Sequence, residues 1–301
     1  MQLLYSLDRD PGVMPKEILT RYDKSVDLAY ESLMYNLFLM MEITHQAVVD
    51  RDTRLNKLRP DADDLSWNAK LYENPVVSSL FNNKALRKYF KDKSFGARID
   101  QDLLLKMFNT ISRTPEYRKY VFETIDEAGH RDFLLNIYRD LRKNEIYEEI
   151  IDDQYPFWQE DKSLVIGAFK KIIKQLPDSN EKFFEEYLPD DDTVIDFGRR
   201  LIEITMEQAE TLENLIEPTL KNWDMERLAV LDVIIIKMAL IEFLYFPTIP
   251  TKVTLDEYVD ISKEYSTPKS KDFVNGILDK LMKTMVEEGK IKKEGRGLLE
   301  E

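Results

Sequence analysis

The chain has 301 residues, 43% of them hydrophobic, so a real core can be built and wholesale disorder is excluded. Its 57 acidic and 43 basic residues leave a formal charge of −14, which disfavours a diffuse grip on a polyanion; any nucleic-acid site must be a local basic patch or be completed by a partner. No cysteine is present, which removes disulfides, thiolate metal sites and cysteine nucleophiles together and fits a reducing, cytoplasmic setting. With few glycines and prolines and many strong helix formers, the expected fold class is all-α.

Leu3, Leu4 and Leu7 share a face of a short helix over 1–8, which lacks the basic start and apolar run of a signal peptide. Pro11-Gly12 breaks the chain, and Pro15 suits a new first turn. From Ile18 through Tyr22, Val26, Tyr30, Leu33, Leu37, Met41 and Val48, apolar residues recur at threes and fours, predicting a long amphipathic helix. Residues 58–64 read as a loop, Pro75 opens a helix through Phe90, and 91–97 form a polar connector. Helices are predicted over 100–112 and 115–127, then, after punctuation at Gly129, over 131–142, 145–154 and 161–176. The acidic run Asp190-Asp191-Asp192 divides an enlarged helical region, 1–189, from a core at 190–301, and places negative charge where the next helix begins.

One long helix is predicted from Val194 to near Pro218, and an apolar one over 225–246. The latter has membrane-spanning length, but Asp232, Lys237 and Glu242 would each cost roughly 2.5–3.5 kcal/mol mid-bilayer, so it reads as a buried helix of a globular protein. Thr254 with Glu257 has the spacing of a capping box, and Val253 with Tyr258 that of a hydrophobic staple. Pro268 opens a last helix carrying Phe273, Ile277, Leu278, Leu281 and Met285, followed by a basic tail with Lys290, Lys292, Lys293 and Arg296.

Both histidines stand in Glu-x-x-His, at Glu42/His45 and Glu127/His130, a motif that in pairs builds di-iron sites in helical bundles. Gly129 interrupts the second where a rigid turn is needed, and glutamate is common enough here for chance matches, so no metal or cofactor is assigned. No phosphate-binding glycine loop, nucleophile-elbow serine or thiol points to catalysis. Arg51, Arg54, Lys57 and Arg59 could make a basic stripe but read better as a solvated helix end. Lys263, Lys269, Lys271, Lys280, Lys283 and the tail make the C-terminal stretch locally basic, with Phe273 in its midst. Two readings stay open there. Phosphates and a stacked base of single-stranded RNA suit that arrangement; equally, Ile277 and Leu281 continue the face of Phe273 and would make it core.

Asp196-Phe197, Leu215-Ile216-Glu217-Pro218 and Asn222-Trp223-Asp224-Met225-Glu226-Arg227-Leu228 resemble the approach to the central helix of the NusB family of transcription antitermination factors. Asp232 and then Ile236-Lys237-Met238-Ala239-Leu240-Ile241-Glu242-Phe243 look like that helix, with Lys237 where arginine is usual. Ile249-Pro250-Thr251-Lys252-Val253-Thr254-Leu255-Asp256-Glu257 resembles a further family segment, with Asp256 in place of asparagine. Phe273-Val274-Asn275-Gly276-Ile277-Leu278-Asp279 is similar to the final-helix signature. The resemblance covers about 190–281, and Gln2-Leu3-Leu4-Tyr5 looks like the end of the family's first helix.

The resemblance implies an all-helical two-subdomain bundle, with a long helical insertion over 11–189 after the first helix. It implies a non-catalytic factor that binds the single-stranded boxA element of ribosomal RNA leaders as a heterodimer with the ribosomal protein NusE, within an antitermination complex on RNA polymerase and away from any membrane. A partner that supplies part of the surface suits an acidic RNA binder. By the same resemblance Tyr5 and Phe273 lie near RNA, with Lys269, Ser270 and Lys271 in the loop before the last helix. Gly276 and Asn275 read as structural, the glycine admitting a neighbouring helix. Family members open their first helix with an arginine-rich stretch that contacts RNA; this sequence starts after it, which implies either a later start or weaker RNA binding. The insertion carries no functional motif, and either enlarges the bundle or docks another protein. The alternative is a helical interaction scaffold in ribosome biogenesis that has lost direct RNA binding. A NusB-like domain also precedes ribosomal RNA cytosine methyltransferases, but their α/β cofactor domain and catalytic cysteines have no counterpart here.

Overall fold

The computed structural model describes residues 1–220 and 228–299, and every regular element among them is a helix, as composition and periodicity predict. The 222–227 part of the approach motif, and the start of the helix placed at 225, lie outside the described residues. The chain divides into two units, Met1–Lys24 with Pro189–Glu301, and Ser25–Leu188. Each has its own apolar core. Helix α1 (Gln2–Arg9) belongs to the first unit, and α2 (Pro15–Leu55) begins in the first and continues through the second.

Within Ser25–Leu188, α2 supplies a central run of buried side chains, among them Leu33, Met34, Tyr35, Leu37 and Ile43. Short helices follow, bounded by side-chain caps. The expected loop at 58–64 contains α3 (Ala62–Ser66), because Asp61 and Asp64 form a reciprocal capping box. After α4 (Lys70–Glu73), the expected helix from Pro75 to Phe90 is two, α5 (Pro75–Asn82) and α6 (Lys84–Asp92). Asn83 leaves the helical backbone, and its side chain accepts the Leu86 N–H at 2.9 Å, so it ends one helix and caps the next.

Helix α7 (Gln101–Ser112) is followed by α8 (Pro115–Phe122), which stops short of the expected 127. Asp126 accepts the Gly129 N–H at 2.8 Å and starts α9 (Glu127–Leu141), so Gly129 lies inside that helix and does not precede it. Helices α10 (Glu145–Gln154) and α11 (Trp158–Gln175) complete the unit. At its centre the Asn36 side-chain oxygen accepts from Tyr138 at 3.1 Å and Tyr147 at 2.5 Å, tying α2 to α9 and α10.

In the other unit the single helix expected over 194–218 is broken. A π-helical stretch, Asp192–Arg199, leads into α12 (Arg200–Glu207) and then α13 (Ala209–Ile216). A Cβ at Gly198 would collide with the Tyr22 hydroxyl, which donates to the Val194 carbonyl at 3.0 Å, so a larger residue there would displace that ring. Helix α14 (Val230–Tyr245) is apolar on nearly all sides and packs against α1, α12, α13, α15 (Thr251–Tyr265) and α16 (Ser270–Glu287). Such burial is what its composition demands, since each fully buried Ile or Phe contributes roughly 1.5–3 kcal/mol. Among the described residues no helix is long and apolar enough to cross a membrane.

The expected capping box at Thr254 does not form. Helix α15 begins at Thr251, and the Thr254 N–H is already bonded to the Pro250 carbonyl at 3.1 Å. Its buried hydroxyl donates instead to Glu242 on α14 at 2.7 Å, a carboxylate being the stronger acceptor. The basic tail folds back on the end of α14: Glu294 N–H meets the Pro247 carbonyl at 2.9 Å, and Gly297 lies so close to that carbonyl that a Cβ has no room.

Candidate functional site

The three charges of α14 set up the site. Asp232 lies in the first turn, where the helix dipole favours an anion, and is 5% exposed. Its two oxygens accept from Ser266 at 2.6 Å and Ser270 at 2.8 Å. Ser270 also accepts the Thr267 N–H at 3.2 Å, so one carboxylate pins the whole α15–α16 turn onto the start of α14. The signal was present in the sequence as two serines straddling Pro268, but nothing local names their partner, 34 and 38 residues away.

Pinning decides which residues of the turn face outward. Ser270 is 1% exposed with its hydroxyl bonded to Asp232. The side chain expected among the RNA contacts is thus buried and holds the turn. Lys269 and Lys271, on either side of it, are both exposed. Neither has an acidic partner among the described residues. Phe273 is half-buried and packs against the core of its unit, one residue before the fully buried Val274, so its ring is shared between core and surface. Tyr5 is 37% exposed on α1, next to the buried Leu4, with the Arg9 guanidinium 5.5 Å from its ring centre. Both α1 and α16 pack on α14, so one helix carries the supports of Tyr5 and of the lysine pair.

Lys237 and Glu242 have internal partners too. The Lys237 ammonium meets Glu213 of α13 at 2.6 Å. Glu242, 5% exposed, accepts from Thr254 at 2.7 Å and Tyr258 at 3.0 Å. Burial pushes its carboxyl above the usual glutamate range, while those two hydrogen bonds work the other way. The tail's Lys293 donates to the Phe246 carbonyl at 3.0 Å, and burial lowers its ammonium pKa. Lys290 pairs with Glu288 and Lys283 with Asp279, so the tail and last helix are less basic in effect than in composition.

The expected close approach at Gly276 is also corrected. Gly276 is exposed, and among the described residues nothing lies within 4 Å of where a Cβ would stand. The histidines sit in aromatic surroundings: His45 is 5.2 Å from the Tyr72 ring centre, and His130 Nδ1 is 2.8 Å from the Tyr120 hydroxyl. Burial lowers the His130 imidazole pKa. Among the described residues no three of His, Cys, Asp and Glu gather in a way that could hold a metal ion.

Comparison with known proteins places this geometry. The model of the NusB family matches residues 159–283, which takes in α12 to α15 and most of α16. A protein of Salinibacter ruber, "Transcription antitermination protein NusB", is 38% identical over 112 residues, covering 37% of this chain and 70% of the relative. The protein of the same name from Thermodesulfovibrio yellowstonii is 37% identical over 109 residues, 36% of this chain and 72% of the relative. That of Chloroherpeton thalassium is 35% identical over 105 residues, 35% of this chain and 50% of the relative. No solved structure matches. On the α14–α16 architecture and these relatives together, the chain belongs to the NusB family.

Proposed function

We propose that this chain is a transcription antitermination factor that holds a boxA-like single-stranded element of ribosomal RNA transcripts together with NusE. The observation that carries the reading is the kinship with proteins named for transcription antitermination, over a stretch that contains the pinned α15–α16 turn. Lys269 and Lys271 take phosphates, and the accessible parts of Phe273 and Tyr5 stack on bases, each stack contributing roughly 1–3 kcal/mol. Ser270 and Asp232 keep the turn in the conformation that points the lysines outward. In an acidic chain two exposed lysines are too few for tight binding alone, so NusE supplies the rest of the positive surface.

The test is fluorescence anisotropy of a labelled boxA-like RNA with the full chain, alone and with equimolar NusE, over a salt series. NusE should tighten binding, and affinity should fall as salt rises. Lys269→Glu with Lys271→Glu should weaken RNA binding roughly tenfold or more and leave NusE binding intact. The proposal fails if NusE neither binds the chain nor raises its RNA affinity. Intact NusE binding with no change of RNA affinity in the double variant would favour an interaction scaffold instead.

A further inference from the structure

Basic side chains in Ser25–Leu188 fall into two kinds. Of the stripe legible in the sequence, Arg51, Arg54 and Lys57 are neutralised, whereas the exposed Arg59 makes no ion pair among the described residues: Arg51 meets Glu73 at 2.8 Å, Arg54 meets Asp50 at 3.0 Å, and Lys57 meets the buried Asp64 at 2.6 Å. On α6 the pattern is opposite. Lys84, Arg87, Lys88 and Lys91 stand at i, i+3, i+4 and i+7, an exposed face of a helix whose other face buries Leu86 and Phe90. Lys88 meets Asp92 at 2.5 Å, whereas Lys84, Arg87 and Lys91 make no ion pair among the described residues.

A second feature adjoins them. Phe38, Phe81 and Phe90 line a recess of about 240 Å³ whose wall also includes Arg87, Lys91 and Glu42. It is smaller than the roughly 300–1,000 Å³ of ordinary ligand pockets, a size for one planar ring.

We propose that α6 is a second RNA-binding face, on which Lys84, Arg87 and Lys91 take successive phosphates of a single strand while one base enters the phenylalanine-lined recess. This rests on the reading of the protein as an RNA binder. The division of labour follows from the chemistry. Apolar walls and the Glu42 carboxylate reject a phosphate, which keeps the backbone outside on the cations. The same carboxylate can accept a hydrogen bond from a base N–H, such as the N3–H of uracil, and the rings offer a stacking surface. An acidic protein segment would also engage the cations, and it is the aromatic lining of the recess beside them that favours RNA.

The experiment titrates the full chain, without NusE, against labelled poly(U) of roughly 30 nucleotides, long enough for more than one site, over a salt series. The triple variant Lys84→Ala, Arg87→Ala, Lys91→Ala changes only exposed side chains and should keep the fold. It should weaken binding roughly tenfold and flatten the log–log salt slope by about 2, at about 0.7 per lost phosphate contact. Phe81→Leu should weaken binding several-fold with the slope unchanged, since stacking releases no counterions. If Phe81→Leu loses helix content by circular dichroism, the triple variant alone decides. Lys269→Glu with Lys271→Glu should leave a poly(U) affinity that still falls when the α6 triple is added.

The proposal is overturned if the triple variant keeps the parent's affinity and slope. It is equally overturned if the triple weakens poly-glutamate binding but not poly(U) binding. A parent chain that binds no poly(U) overturns it as well, and the boxA assay with NusE then reports separately on the family reading.

Discussion

The two units bury polar side chains to different ends. In Ser25–Leu188 the polar centre is sealed: Asn36 is fully buried, it accepts from Tyr138 and Tyr147, both of them buried, and its amide nitrogen donates to the Ser32 carbonyl at 2.7 Å. Everything it touches is core. In the other unit, Asp232 and Glu242 each reach a segment beyond α14: Asp232 holds the α15–α16 turn, and Glu242 holds α15. A buried polar group can thus specify a core or position a surface, and burial alone does not say which. The outward path of its hydrogen bonds does.

That contrast can be broken by removing each anchor. Asn36→Ala has the largest expected effect, because two tyrosine hydroxyls are left buried without a partner, at about 1–3 kcal/mol each. A loss of roughly 4 kcal/mol in urea unfolding should accompany unchanged RNA affinity of the folded protein. Asp232→Ala should cost somewhat less, roughly 3 kcal/mol, since Ser266 is only part-buried and the buried Ser270 hydroxyl keeps the Thr267 hydroxyl at 2.8 Å. Unlike the first variant it should also lower RNA affinity, because the turn that presents Lys269 and Lys271 is released. If Asp232→Ala destabilises the protein and leaves RNA binding untouched, the two anchors are alike and the contrast is lost.

What was legible in the sequence follows the range of the interaction that decides it. The helices α2 and α16 could be read because their apolar spacing is a local property repeated over many turns. The division between α5 and α6 could not, because Asn83 looks like any surface residue until its side chain is seen to take the Leu86 N–H. Thr254 misled for the opposite reason. Its local pattern is a sound helix start, but Glu242, twelve residues upstream, competes for the hydroxyl and wins. The site residues divide the same way. That Lys269 and Lys271 are exposed agrees with their local charge, whereas the inward turn of Ser270 depends on Asp232. Among the basic stripes, Arg51 and Lys57 are silenced by Glu73 and Asp64, partners that local charge does not name.

A smaller effect sharpens the account of Glu242 through its pH dependence. Burial raises its carboxyl pKa, so the folded state keeps the proton to higher pH than the unfolded chain does. The stability from this group is therefore complete below the ordinary glutamate value of 4.5 and is lost as pH rises through the higher folded value. Glu242→Gln, whose amide oxygen still accepts from Thr254 or Tyr258, removes that titration. The parent should gain on the variant as pH is lowered from neutrality toward 4.5, read as the difference between their urea midpoints. A difference independent of pH would mean that the carboxyl is not raised and that Asp232 and Glu242 differ less from the neutral Asn36 network than the geometry says.

The smallest effect belongs to Lys293, which tests whether the tail is part of the anchored unit or a free basic arm. Its ammonium donates to the Phe246 carbonyl at 3.0 Å and lies 3.4 Å from that of Glu242, at the negative end of the α14 dipole. A cation there contributes about 0.3–1 kcal/mol through hydrogen bonding and the helix dipole. Lys293→Met keeps most of the apolar stem and removes the charge, so it should cost no more than about 1 kcal/mol in unfolding free energy. A docked cap has a second consequence: the variant should leave the salt slope of RNA binding unchanged, because an ammonium bonded to α14 does not meet a phosphate. A flatter slope with unaltered stability would instead place Lys293 on the RNA, and the tail would then belong with Lys269 and Lys271 and no longer with the anchors of α14.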